Sequence, residues 1–143
     1  KGDVSIHINA PVSQVWEALT TPEIIKQYFF GTDTITDWKV GNPIRFTGEW
    51  EGKKYEDKGT ILINDPETQL SFDYWSSMSG TEDIPENYLT ITYDLVNTGN
   101  GTDLSVTQEN IPDQTSKEHS AQNWKKVLEG LKNLLEHKQT PGE

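Results

Sequence analysis

The chain has 143 residues and a formal net charge of −11, from 23 acidic against 12 basic side chains, so phosphate backbones and anionic membranes repel it and a nucleic-acid partner is not expected. It contains no cysteine, which removes disulfides, thiolate metal sites and thiol nucleophiles together. Five Trp, five Tyr and four Phe stand within a hydrophobic fraction of only 32%, so an aromatic-rich core or pocket is expected, in one domain spanning residues 1–143.

Val4, Ile6 and Ile8 alternate with Ser5 and His7, the pattern of a short strand with one buried face. Asn9-Ala10-Pro11 ends it, and Val12, Val15, Trp16 and Leu19 then recur at helical spacing. Thr20-Thr21-Pro22 breaks this helix and starts a second, Pro22 to about Phe29, with Ile24, Ile25, Tyr28 and Phe29 on its apolar side. From Thr34 onward the period returns to two. Strands are expected at Ile35 to Trp38, Pro43 to Trp50, Tyr55 to Asn64, Gln69 to Trp75, Tyr88 to Asn97 and Thr102 to Glu109, parted by turn residues such as Gly41-Asn42, Glu51-Gly52, Asp65-Pro66 and Gly99-Asn100-Gly101. Ser76 to Glu86 shows no period and reads as a solvated connector or a lid.

The last stretch, Ser116 to Lys138, reads as one amphipathic helix. Ala121, Trp124, Val127, Leu128, Leu131, Leu134 and Leu135 share one face, while Gln122, Lys125, Lys126, Glu129 and Lys132 take the other. Thr115 with Glu118 forms a capping box at its start, and Pro141 with Gly142 follows its end. Strand, two helices, antiparallel meander and long helix make an α+β order, about seven strands in a curved sheet wrapped around the final helix. No apolar run approaches the roughly 18 residues of a membrane span and no signal segment is visible, so membrane insertion is not expected and a cytoplasmic location is. Because the chain begins at Lys1 rather than Met, a preceding leader stays open.

The segment from Ala10 to Glu23 (APVSQVWEALTTPE) resembles the START-like (SRPBCC) superfamily, in the branch named after the activator of the heat-shock chaperone ATPase. Val40-Gly41, Gly59, Asp65-Pro66 ahead of Leu70-Ser71-Phe72, Gly101-Thr102-x-Leu104 and Asn123-Trp124-x-x-x-Leu128-x-x-Leu131 stand where that branch has them, so the resemblance covers about Val4 to Lys138. Asn123 stands where the branch usually has Gly before its Trp, and two further departures are visible: Tyr28-Phe29 where many members carry Trp, and Gln108 where some carry His. The resemblance implies a helix-grip fold with a cavity between sheet and helix. It further implies an apolar or amphipathic small-molecule ligand, with a chaperone-stimulating interaction module and an enzyme acting on a hydrophobic ligand as alternatives.

The candidate cavity walls are Phe46 with Trp50, Phe72 with Tyr74, Tyr93, and Trp124 with Leu128 one helical turn on; Ile91 shares its strand face with Tyr93. On a concave face these side chains would line an apolar pocket with Tyr hydroxyls as sparse polar points; as core they would fill volume, and period alone does not separate the two. Tyr28 and Phe29, with Phe30, close the second helix beside Gly31, where the implied fold has its cavity mouth. Trp16 reads as a packing anchor. Glu49, Asp57, Asp73 and Asp94 alternate with apolar neighbours and are expected to face solvent, leaving no catalytic constellation. His7, His119 and His137 are far apart and match no metal motif, so neither metal nor other cofactor is expected. Asn100-Gly101-Thr102 matches a glycosylation acceptor that a cytoplasmic protein would not use.

Overall fold

Residues 4–29, 31–50, 52–76, 82–111 and 114–138 are described by a computed structural model, with their side chains apart from Trp50, Ser116, His137 and Lys138. Strand β1 (Val4–Ile8) leads into helices α1 (Val12–Thr20) and α2 (Pro22–Tyr28). Six further strands follow: β2 (Asp33–Ile35), β3 (Pro43–Trp50), β4 (Lys53–Asp65), β5 (Gln69–Ser76), β6 (Leu89–Asn97) and β7 (Thr102–Glu109). Helix α3 (Gln114–Lys138) closes the described chain. The strands form one seven-stranded sheet in the order β1-β7-β6-β5-β4-β3-β2, antiparallel at every pairing. A meander from β2 to β7 is thus completed by the first strand, which pairs beyond the last.

The sheet presents Ile44, Ile61, Leu70, Phe72, Ile91, Tyr93, Leu104 and Val106 to one buried layer. Trp124, Val127, Leu128, Leu131 and Leu135 of α3 meet them, the helical spacing that one apolar stripe produces. Val15, Ala18 and Leu19 of α1 and Ile25 of α2 join the same core. Thr102, fully buried, donates from Oγ1 to the Ala10 carbonyl (2.9 Å) and fastens the entry of α1 to β7.

Three local expectations are corrected. The second strand lies at Asp33–Ile35 and not at Ile35 to Trp38, because Trp38 adopts φ 66°, a left-handed conformation that no strand continues, and its carbonyl accepts from Asn64 Nδ2 (2.7 Å). Helix α3 opens at Gln114, so Thr115 lies inside its first turn rather than capping it; the expected stop at Pro141 and Gly142 lies outside the described residues. Lys132, assigned to the water face, is only about a third exposed and bends over β1: its Nζ donates to the His7 carbonyl (2.8 Å) and to Glu136 Oε2 (2.6 Å). Glu136 Oε2 also accepts the Asn9 N–H (2.9 Å), which ties the helix end to the end of β1.

Strand β4 carries a bulge. Ile61 pairs with Phe72 while Ile63 pairs with Ser71, so Leu62 is one residue in excess and the inward phase flips there. Ile61 is fully buried whereas Ile63, two residues on, is 40% exposed. Nearby, a Cβ on Gly59 would sit 1.7 Å from the Asp73 carbonyl oxygen, a backbone approach that only glycine permits.

Candidate functional site

The concave face and the two helices that cover it do not meet everywhere. Between them lies a cavity of about 530 Å³, within the range of small-molecule sites. Its walls come from alternate residues of β3 to β7, from the end of α2, and from the first half of α3.

Aromatic rings run around it as a continuous chain. Phe29 meets Trp124 edge-on at 5.7 Å, Trp124 meets Tyr93 edge-on at 5.7 Å, and Tyr93 lies 6.2 Å from Phe72. Phe72 then lies 5.6 Å from Phe46, and Phe46 5.8 Å from Tyr74. All these separations fall in the range where edge and offset ring contacts are attractive, so each ring holds the next in place. The wall is therefore a set of rings braced on elements of both the sheet and the helices, not a loose group of apolar tips.

Few polar groups interrupt it. Tyr28 donates its hydroxyl to the Ala18 carbonyl (2.9 Å), joining α2 to α1, and burial first, then Tyr93, pushes that hydroxyl well above 10. Burial also raises Tyr93. At the β3–β4 side, Thr32 Oγ1 and the Tyr55 hydroxyl share a hydrogen bond of 2.6 Å. Beside them Tyr74 donates to Asp57 Oδ2 (2.5 Å), and burial followed by the neighbouring carboxylate pushes the Tyr74 hydroxyl well above its ordinary value. Tyr74 is thus a donor, not a base, near neutral pH. Ser120, Asn123 and Lys126 of α3 border the cavity from the more exposed side.

Asp57 overturns the expectation that the strand carboxylates face solvent: it is 7% exposed and lines the cavity. The reason is register. Asp57 stands directly opposite Phe46, and cross-strand partners share a face, so an inward Phe46 carries Asp57 inward with it. Asp57 Oδ1 is buried and, among the described residues, has no hydrogen-bond partner. Glu49 is exposed, Asp73 and Asp94 are half-buried, and Asp94 accepts from Gln69 Nε2 (2.8 Å).

Of the candidate walls, Phe46, Phe72, Tyr74, Tyr93 and Trp124 line the cavity, as do Tyr28 and Phe29. Leu128 does not: it is 1% exposed and packs in the core beneath the cavity-facing turn of α3. Trp50 ends β3, and its side chain lies outside the described residues, as does Phe30. Sequence reasoning missed Thr32, Trp38 and Tyr55, which line the cavity with Asp57. Tyr55 and Asp57 alternate on one strand with Gly59 and Ile61, a period-two signal that was legible once Ile61 was placed inside. Trp38 had no such signal, because it reaches the wall from an irregular backbone. Among the described residues no three His, Asp or Glu side chains gather where one metal ion could be held. Of the connector from Ser76 to Glu86, residues 77–81 lie outside the described residues; Asp83 beyond them pairs with Lys58 and accepts from Tyr88.

A curved antiparallel sheet gripping a long helix, with an aromatic cavity between them, defines the helix-grip class of α+β proteins. The chain belongs to the family described as activator of Hsp90 ATPase homolog 1-like proteins, which matches residues 9–136. ChR145 from Cytophaga hutchinsonii, solved in solution, is 47% identical with a TM-score of 0.82, over 94% of this chain and 92% of its own. MLL2253 from Mesorhizobium loti is 23% identical with a TM-score of 0.75, over 96% of this chain and 97% of its own. The Aha1 dimer from Colwellia psychrerythraea gives 21% and 0.74, over 96% of both chains; at such identities the likeness is one of fold. Comparison with curated protein sequences finds no match. Among the described residues no helix is long and apolar enough to cross a membrane.

Proposed function

We propose that the protein binds an apolar or amphipathic small molecule in the cavity between the sheet and α3. The observation that carries this reading is the cavity of about 530 Å³ with its chain of contacting rings, since an interior that only needed filling would have no reason to leave such space. Burying each 100 Å² of apolar ligand surface there contributes on the order of 2.5 kcal/mol before association costs. Acid-base catalysis is less well supported. Asp57 supplies one inward ionisable group, but Tyr74, the group hydrogen-bonded to it, keeps its proton.

The test is native mass spectrometry of protein purified from its own host, with identification of any mass lost on denaturation. The identified compound should bind Trp124→Leu about tenfold more weakly than the parent protein. Tyr88→Ala, altered at a side chain that does not line the cavity, should bind as the parent does. Equal affinities for all three proteins would sink the assignment. The family's name favours one second reading, stimulation of a chaperone ATPase through the protein surface. An ATPase assay with the host chaperone decides it, because no stimulation at saturating protein rejects it.

A further inference from the structure

Asp57 is a feature of the cavity that an apolar ligand does not explain. Its side chain is more than nine-tenths buried, yet only Oδ2 is satisfied, by Tyr74. Oδ1 has no hydrogen-bond partner and, among the described residues, no Lys, Arg or His pairs with the carboxylate. The neighbouring cations are engaged elsewhere. Lys58 pairs with Asp83 and Arg45 with Glu56, both on the outer face, while Lys126 at the cavity border is exposed to water. A buried, uncompensated carboxylate is unfavourable for folding, so its retention calls for a partner that the described residues do not supply.

Resting on the binding reading above, we propose that the cavity selects a cationic amphiphile, whose apolar body lies among the rings and whose protonated amine pairs with Asp57. Three observations converge on a cation rather than a neutral donor. The first is the unpaired carboxylate oxygen, to which a hydroxyl could donate a hydrogen bond without balancing its charge. The second is the setting: Phe46 stands opposite Asp57 on β3 and Tyr74 bonds to it from β5, so an ammonium there lies among aromatic side chains, with which cations interact favourably. The third is the field of the whole molecule, whose net charge of −11 raises the local concentration of cations and depresses that of anions.

The test uses three probes that share a naphthyl body: 2-(2-naphthyl)ethylamine, 2-ethylnaphthalene and 2-naphthylacetate, titrated near neutral pH with tryptophan fluorescence and calorimetry as readouts. The amine should bind at least about tenfold more tightly than the hydrocarbon, and the acid more weakly than either. High salt should leave most of that preference, because a buried pair is screened less than the surface field. In Asp57→Asn the amine and hydrocarbon should converge to within about threefold, since the shape is kept and the charge removed. Tyr74→Phe, which opens the second carboxylate oxygen, should widen the preference, and this variant with the parent ranking decides the matter if Asp57→Asn fails to fold. Equal binding of all three probes, or an amine preference unchanged in Asp57→Asn, overturns the role of Asp57 while leaving the cavity reading standing. Binding by none of the three overturns both.

Discussion

Asp57 and Tyr74 make a pair whose two members have unequal needs. The tyrosine hydroxyl is content with one acceptor, whereas the carboxylate can accept several hydrogen bonds and receives one, at Oδ2. Removing the hydroxyl therefore does more than delete a hydrogen bond: it leaves both carboxylate oxygens buried without a donor. Tyr74→Phe should destabilise the unliganded protein by about 1–3 kcal/mol in urea unfolding. A double variant with Asp57→Asn should recover part of that loss, because the amide no longer demands a donor for a charge. An additive double variant would show that the two residues do not act as a pair. The same residues mark where sequence reading stops. Phe46, Phe72, Tyr93 and Trp124 are legible as inward-facing bulk, yet alternation points Asp57 to solvent although it pairs with an inward Phe46. Alternation within a strand tells which residues share a face but not which face is buried, and the cross-strand register that ties Asp57 to Phe46 is a tertiary fact.

At the scale of elements, most of the architecture follows from period and punctuation. Helix α3 announces itself through Trp124, Val127, Leu128, Leu131 and Leu135, and strands β3 and β7 fall where alternation and turns bound them. The bulge in β4 does not, because Ile61, Leu62 and Ile63 are all apolar and a run of three such residues fits either phase. Nor does the clamp between α3 and β1, since Lys132 and Glu136 look like any solvated helix pair until Asn9 and the His7 carbonyl arrive from more than a hundred residues away. That clamp has a pH signature. Hydrogen bonding from Lys132 first, and from the Asn9 N–H next, holds Glu136 below its ordinary value of 4.5. A carboxyl lowered on folding contributes stability that is fully present above its unfolded value and is lost as pH falls through its folded one. Glu136→Gln should therefore lower stability near neutrality by about 0.3–0.5 kcal/mol, in keeping with a partly exposed pair, and flatten the loss of stability below pH 4.5. Thermal unfolding from about pH 3 to neutrality measures this, because the window lies below 4.5; parallel curves for the two proteins would remove Glu136 from the acid response.

For the whole molecule, a binding role for the cavity would set stability and binding against each other. Space inside a fold forfeits dispersion contacts, so a chain that only had to fold would fill it, and a chain that must admit a ligand cannot. Ile91 offers a way to separate these demands: it is 3% exposed, lines the cavity and stands opposite Phe72 on β5. Ile91→Phe adds volume toward the empty space. If that space is a site kept open, the variant should retain its stability or gain up to about 1 kcal/mol, while binding of 2-(2-naphthyl)ethylamine falls at least about tenfold. If the surrounding rings are instead a filled core, the larger side chain has nowhere to go and overpacking should lower stability by about 1–3 kcal/mol. Urea unfolding and the amine titration on the same two proteins distinguish the cases. A variant that is both more stable and a poorer binder would locate the ligand in the cavity by the stability it displaces, without any need to know the natural compound first.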